Sequence, residues 1–230
     1  MIFRIFDGKM SNHAIDIYFF TMSPPSRSVL LLMKTLGLKT NIKTINILNG
    51  EQFKPEFIKV NPLHTIPTIN DDGFILSESN AILKYLVDQY GKDDKLFPKD
   101  NKKGAIVNQM LNFGTSTLLP RFAATHFALM MGGTVDEQDK EKLKEAFDYL
   151  NNFLKESKWL AGENMTVADI AIHSTLGNIV AAGIYDLQSY PNLWQWFERT
   201  KNALSQFGYE EIMQAGSDAF GHVFKTKVNA

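Results

Sequence analysis

The feature that most restricts this chain is an abrupt change of period near its start. Ile15-Asp16-Ile17-Tyr18-Phe19-Phe20 is aromatic and β-branched, the composition of a buried strand. Ser23-Pro24-Pro25-Ser26 breaks it at once, and because proline is tolerated in a helix's first turn, the same break opens a helix. That helix is expected from Ser26 to about Leu36, with Val29, Leu30, Met33 and Leu36 on one face and Gly37 ending it. Asn41 to Ile47 reads as a second strand with alternating β-branched residues. A strand–helix–strand unit makes a parallel pair, so the chain opens as an α/β fold.

After a polar stretch at 49–52 and a short helical turn at 55–59, Ile66-Pro67-Thr68-Ile69 leads into a third strand. Asp71-Asp72-Gly73 turns it into a hairpin with Phe74-Ile75-Leu76. Ser79 is placed to cap a helix running to Tyr90. Residues 14–91 thus form a compact α/β unit, and the polar, charged segment 92–103 reads as a linker. From 104 to 230 the pattern is helical: Ala105 to about Met131, bent at Pro120; Asp136 to Ser157, amphipathic; Thr166 to about Ala182, apolar on most sides; and Pro191 to Leu204. Residues 1–13 read as a loose extension, with Met10 a plausible second start.

Composition excludes several chemistries. The chain has no cysteine among its 230 residues, which removes disulfides, thiolate zinc sites and any protein thiolate nucleophile, and suits a reducing compartment. Ser23-x-x-Ser26 has the spacing of a redox Cys-x-x-Cys with oxygen in place of sulfur, so thiol–disulfide exchange is excluded. A net charge of −1 with no basic cluster argues against nucleic acid or an acidic membrane as partner, and no apolar stretch near the start is long enough to span a bilayer. The five histidines, His13, His64, His126, His173 and His222, lack metal-ligand spacing, so no metal site is expected.

Four places carry candidate chemistry, each with a plain structural alternative. Ser23 sits where helix N–H groups favour an anion, or it is only the helix cap. A cis Ile66–Pro67 bond would free the Ile66 backbone to pair with an extended peptide, or the proline is trans at a loop edge. Glu78 and Ser79 could receive an ammonium and a carboxylate, or Ser79 simply caps. Thr166 and Asp169 match a capping box, with Met165 and Ile170 as its hydrophobic staple, and here the structural reading is preferred. Trp159, Trp194 and Trp196 read as core anchors.

Five stretches in this order resemble the cytosolic glutathione S-transferases, especially the insect delta and epsilon classes: 23–29, 50–57, 61–68, 78–82 and 160–169. The resemblance covers about residues 14–225. It implies a thioredoxin-like N-terminal domain binding glutathione and an all-α C-terminal domain carrying the hydrophobic substrate site, usually in a homodimer in the cytoplasm. The implied activity is conjugation of the glutathione thiolate to hydrophobic electrophiles in detoxification, with peroxide reduction beside it; a non-catalytic ligand carrier of the same fold is the alternative. Glutathione enters as co-substrate and no metal is implied. Ser23 would donate its hydroxyl to the sulfur. Ile66, before a cis Pro67, would pair with the cysteinyl backbone; His64 and Thr65 would approach the glycyl side with Gln52; Glu78, Ser79 and Asn80 would surround the γ-glutamyl end. Leu119, Phe122, Phe127, Met130 and Met131, with Phe207 and Tyr209, are the candidates for the second substrate or else bundle core. Three positions depart from the pattern: Gln52 stands for a histidine, Asn80 for an arginine or histidine, and Gly114 for an aspartate. Together they remove charge around glutathione.

Overall fold

The computed structural model describes residues 13–229, so residues 1–12 of the expected extension lie outside the described residues. Strand β1 (Ile15–Phe19) alternates buried and half-buried residues, as a strand packed unequally on its two faces must. Helix α1 (Pro24–Thr35) starts two residues earlier than expected, because the prolines occupy its first turn and Ser23 is its N-cap. It is buried on nearly all sides from Pro24 to Met33, where a single inner face was expected. Strand β2 (Thr40–Thr44) is shorter than the expected 41–47: Asn46 accepts from the Leu48 N–H and turns Ile47–Asn49 into a 3₁₀ turn. A one-turn α2 (Pro55–Ile58) precedes the hairpin of β3 (Thr68–Asp71) and β4 (Phe74–Ser77), and α3 (Ser79–Tyr90) follows.

The sheet order is β2-β1-β3-β4, with β1 parallel to β2 and antiparallel to β3. The pairings Phe19↔Thr44, Tyr18↔Thr68 and Thr68↔Ser77 fix one edge of the sheet. The residues that follow β1, β2 and β4 and those that precede β3 therefore emerge at that edge together.

The helical part begins at Asn101, inside the expected linker, because the Asp100 carboxylate accepts from the N–H groups of Lys102 and Lys103. The expected single helix 105–131 is two: α4 (Asn101–Phe113) and α5 (Leu119–Met130), joined by one π-helical turn at Gly114–Leu118. That wide turn absorbs Pro120, which has no N–H to donate back and whose ring needs room. Helix α6 (Glu137–Glu156) buries Leu143, Phe147, Leu150 and Leu154 as read from its pattern. Helix α7 (Val167–Ala182) is the central post, almost wholly buried. Its capping box is present: Asp169 accepts from the Thr166 N–H and hydroxyl, the Leu160 N–H and the Trp196 indole. Trp159 and Trp196 are core residues, whereas Trp194 in α8 (Pro191–Leu204) is half-exposed. A π turn at Glu210–Gln214 and helix α9 (Ala215–Val228) close the fold; this last helix went unread because glycines at 216 and 221 interrupt its apolar pattern.

Candidate active site

The sheet register brings the predicted residues to one edge. Ser23 follows β1, Ile66 and Pro67 precede β3, Glu78 and Ser79 follow β4, and Gln52 lies in the segment that follows β2. The ring of Phe53 lies 4.9 Å from that of His64, so the segments on either side of α2 meet.

Ser23 is half-buried at the mouth of α1. Its Oγ accepts from the Ser26 N–H over 3.4 Å, a long bond that leaves the hydroxyl proton free to point elsewhere. The helix N-terminus behind it places positive potential at the oxygen. The Ile66–Pro67 peptide is cis, as expected. Among the described residues no hydrogen bond reaches the N–H or C=O of Ile66, so both are available to an extended partner. Thr65 is exposed, and its carbonyl accepts from Asn61 and from the Thr68 hydroxyl, which fixes the loop.

Two predicted ligand residues hold left-handed backbone, His64 at φ 47° and Glu78 at φ 68°. Such a conformation costs a non-glycine residue on the order of 1 kcal/mol, and it recurs where function fixes the chain. Glu78 is exposed and is the residue before α3; no side chain caps that helix. Ser79 is its first helical residue and not its cap, as had been expected. Gln52 is half-buried, and its Oε1 is buried without a partner among the described residues.

Asn80 behaves differently from the expectation. Its amide nitrogen donates across to α4, to the Leu111 carbonyl at 3.0 Å and the Thr115 hydroxyl at 3.4 Å. The donor that would face a ligand is thus engaged by the helical part. A cavity of about 20 Å³ lies there, lined by Pro25, Ser28, Ser79, Asn80, Gly114 and Leu119 among others. Among the described residues no charged side chain lines it, in keeping with glycine at 114.

The hydrophobic candidates divide. Leu119 lines the cavity between the two parts. Phe127 and Met131 are 45% and 86% exposed, and Met130 is half-buried, so all three can meet a ligand from solvent. Phe122 and Tyr209 are interior residues instead: Phe122 packs on His126, Phe127 and Phe220, and Tyr209 packs on His173. Phe207 belongs to another cleft, with Lys34, Gly208, Glu211 and Ile212. A purely apolar pattern cannot separate a wall from a core, since both need the same side chains.

Sequence reasoning missed what holds the Ser23 loop. Arg27, wholly buried in α1, donates to the Thr21 carbonyl of that loop at 3.1 Å. Its other terminal nitrogen, Nη2, donates to the Ser174 carbonyl, the Asn178 side chain and the Ser217 hydroxyl, on α7 and α9. Asn178 in turn donates to the Met22 carbonyl at 3.1 Å. Among the described residues no carboxylate takes part, and burial pulls the guanidinium down to about 9, still cationic at neutral pH. Gly216 leaves the space: a Cβ there would lie 2.4 Å from Arg27 Cδ and 2.5 Å from the Thr21 oxygen. The available signal was a single arginine inside an apolar helix and a single asparagine inside another.

Among the described residues, no group of three His, Asp or Glu side chains could hold a metal ion, and no helix is long and apolar enough to cross a membrane. His126 and His173 are buried against aromatic rings and burial pushes their pKa values down, to about 4 and about 3.

Comparison with known proteins agrees with this geometry. The glutathione S-transferase N-terminal domain family matches residues 14–88, and the glutathione S-transferase C-terminal domain family matches residues 117–202. Glutathione S-transferase D7 of Anopheles gambiae is 41% identical over 213 residues, covering 92% of this chain and 97% of that protein. The solved structure of the Bombyx mori glutathione transferase BmGSTD1 superposes with a TM-score of 0.90 at 44% identity, over 94% of this chain and 100% of that one. A Drosophila mojavensis glutathione transferase homologue, solved with bound glutathione, has a TM-score of 0.84 at 33% identity, over 93% and 97% of the two chains.

Proposed function

The chain belongs to the glutathione S-transferase family, and on that premise we propose that Ser23 supplies the hydroxyl that activates the thiol. The protein is a glutathione transferase with glutathione as its substrate. The observation that carries the assignment of Ser23 is its place at the mouth of α1. The oxygen accepts a helix N–H while its proton is free to donate outward to sulfur.

The magnitudes suffice. A free thiol with a pKa of about 8.5 is only roughly 3% thiolate at pH 7; at about 6.5 it is roughly 75% ionised. That shift corresponds to about 2.7 kcal/mol of preferential thiolate stabilisation. One hydrogen bond to a charged acceptor contributes about 1.5–3 kcal/mol, and the helix N-terminus adds about 0.3–1 kcal/mol. Ser23 acts as a donor only. The thiolate attacks the electrophilic carbon, the C–S bond forms, and the leaving group departs with its electron pair. Peroxide reduction would use the same thiolate.

Ile66 binds the cysteinyl backbone beside Pro67, Glu78 takes the γ-glutamyl ammonium, and Ser79 with the first N–H groups of α3 takes the carboxylate. Gln52, His64 and Thr65 face the glycyl end. Residues 14–91 are then the glutathione-binding unit and the helical part holds the hydrophobic electrophile. Leu119, Phe127, Met130 and Met131 meet it, soft side chains suited to varied apolar shapes. A homodimer is the assembly proposed: the edge strand β4 exposes Phe74 and Ile75, and α4 exposes Ile106. Detoxification in the cytoplasm is the role this chemistry fits.

The assay is glutathione conjugation to a generic aryl halide. Ser23→Ala should lower kcat/KM by about 100-fold, the worth of one donor at a developing charge. Turnover of Ser23→Ala equal to the wild type would remove Ser23 from the mechanism.

A further inference from the structure

Helix α3 begins without a cap of its own: Glu78 holds a left-handed backbone and its side chain makes no capping bond. Among the described residues, the side-chain hydrogen bonds that tie the first turn of α3 to the helical part come from Asn80 alone, to Leu111 and Thr115. Both acceptors lie at the π turn. Where the chain passes from α4 into the wider turn, the Leu111 carbonyl is shared by the Gly114 N–H, the Thr115 hydroxyl and the Asn80 amide. Gly114 lets the turn that carries them pack closely on α7, since a Cβ there would lie 3.3 Å from Ile172 Cγ1.

We propose that the Asn80 side chain is a positioning group: through its bond to the Leu111 carbonyl it sets the first turn of α3 against α4, and so fixes Glu78 and Ser79 for the γ-glutamyl group without itself touching glutathione. The proposal rests on the assignment of Glu78 and Ser79 made above. It gives a chain lacking charge at positions 80 and 114 a neutral way to hold the same end of the ligand. It also predicts where the loss falls: on glutathione affinity, with the thiol chemistry at Ser23 intact.

The test compares Asn80→Ala, Asn80→Gln, Asn80→Asp, Thr115→Val, Asn80→Ala with Thr115→Val, and Ser79→Ala as a control. Steady-state kinetics are taken with each substrate varied in turn, and folding is checked by thermal unfolding. Asn80→Ala should raise KM for glutathione roughly tenfold, with kcat and the KM for the aryl halide within about twofold of wild type. Asn80→Gln should recover part of the loss, and Asn80→Asp, which sets a carboxylate against the Leu111 carbonyl, should be worse than alanine. Thr115→Val should raise KM about two- to threefold alone and add nothing to Asn80→Ala, because both act through one contact. The proposal is overturned if Asn80→Ala leaves KM for glutathione unchanged while Ser79→Ala raises it. It is equally overturned if Thr115→Val has the same effect with and without Asn80, which would place Asn80 on the ligand. If Ser79→Ala itself leaves KM unchanged, the γ-glutamyl assignment falls first and this proposal with it.

Discussion

Gly216→Ala tests whether the far end of the chain holds the catalytic loop. The added Cβ would stand 2.4 Å from Arg27 Cδ, 2.5 Å from the Thr21 oxygen and 2.8 Å from Arg27 Nη1, where real Cβ atoms essentially never come within 3.0 Å. The guanidinium cannot swing aside without losing Ser174, Asn178 and Ser217, and a backbone oxygen cannot rotate away. The Thr21–Ser23 segment must therefore retreat by at least about 0.5 Å. Overpacking against such rigid groups costs about 3 kcal/mol, and alanine's better helix propensity returns about 1 kcal/mol, leaving a net loss of about 2 kcal/mol. For a chain of this size that lowers Tm by about 4–8 °C. Because about 1 Å of misplacement can cost 100-fold, half of that should cost the folded enzyme about tenfold in kcat/KM. Gly221→Ala is the control. Its Cβ would meet the Ala181 carbonyl of α7 at 2.6 Å, and its three nearest neighbours all belong to Ala181. It should lose comparable stability and keep full activity per folded molecule. Denaturant unfolding with conjugation rates measured well below Tm separates the two. If Gly216→Ala destabilises no more and turns over as well as Gly221→Ala, the claim that α9 positions the loop through Arg27 is refuted.

Two further outcomes follow from the buried polar groups. Trp196→Phe removes the indole N–H donated to Asp169 at 2.7 Å and should cost about 1.5–3 kcal/mol of stability with no change in KM, read by urea unfolding; an unchanged midpoint would contradict it. His126 and His173 titrate at about 4 and about 3 in the folded chain but near 6.5 when unfolded, so the unfolded state binds more protons below pH 6.5. Stability should fall as pH drops from about 6.5 towards 4, with the two sites contributing up to about 2.7 kcal/mol per pH unit. A slope of only about half that would show that one imidazole is solvated, and a flat unfolding free energy across the window that both are.

Much of this was legible because local rules and the fold agree. The prolines after Ser23, the Asp-Gly turn and the Thr166–Asp169 capping box each specify backbone with few residues; the turn and the box stand where they were read, and the prolines open the helix two residues early. The register then needed no further signal to gather Ser23, Ile66 and Glu78 at one edge. What was not legible is tertiary. The π turn before Pro120 lies against α7 at Gly114, and no periodicity in 105–131 encodes it. Asn80 has the chemistry of a ligand donor and is turned to α4 only because Leu111 offers a carbonyl there. Phe122 and Leu119 look alike on a helix, yet Phe122 is buried among the rings of His126, Phe127 and Phe220, and only the tertiary packing places those rings. Arg27 was passed over because its partners come from α7 and α9, far along the chain.

The most direct measurement is the ionisation of glutathione bound to the enzyme, followed as thiolate absorbance against pH in the wild type and in Ser23→Ala. The hydroxyl at the mouth of α1 predicts a bound thiol ionising about two units below the free value of about 8.5, and a return most of the way to that value when the hydroxyl is removed. A bound thiol that stays equally acidic in Ser23→Ala would contradict the account and assign the stabilisation to the helix backbone alone.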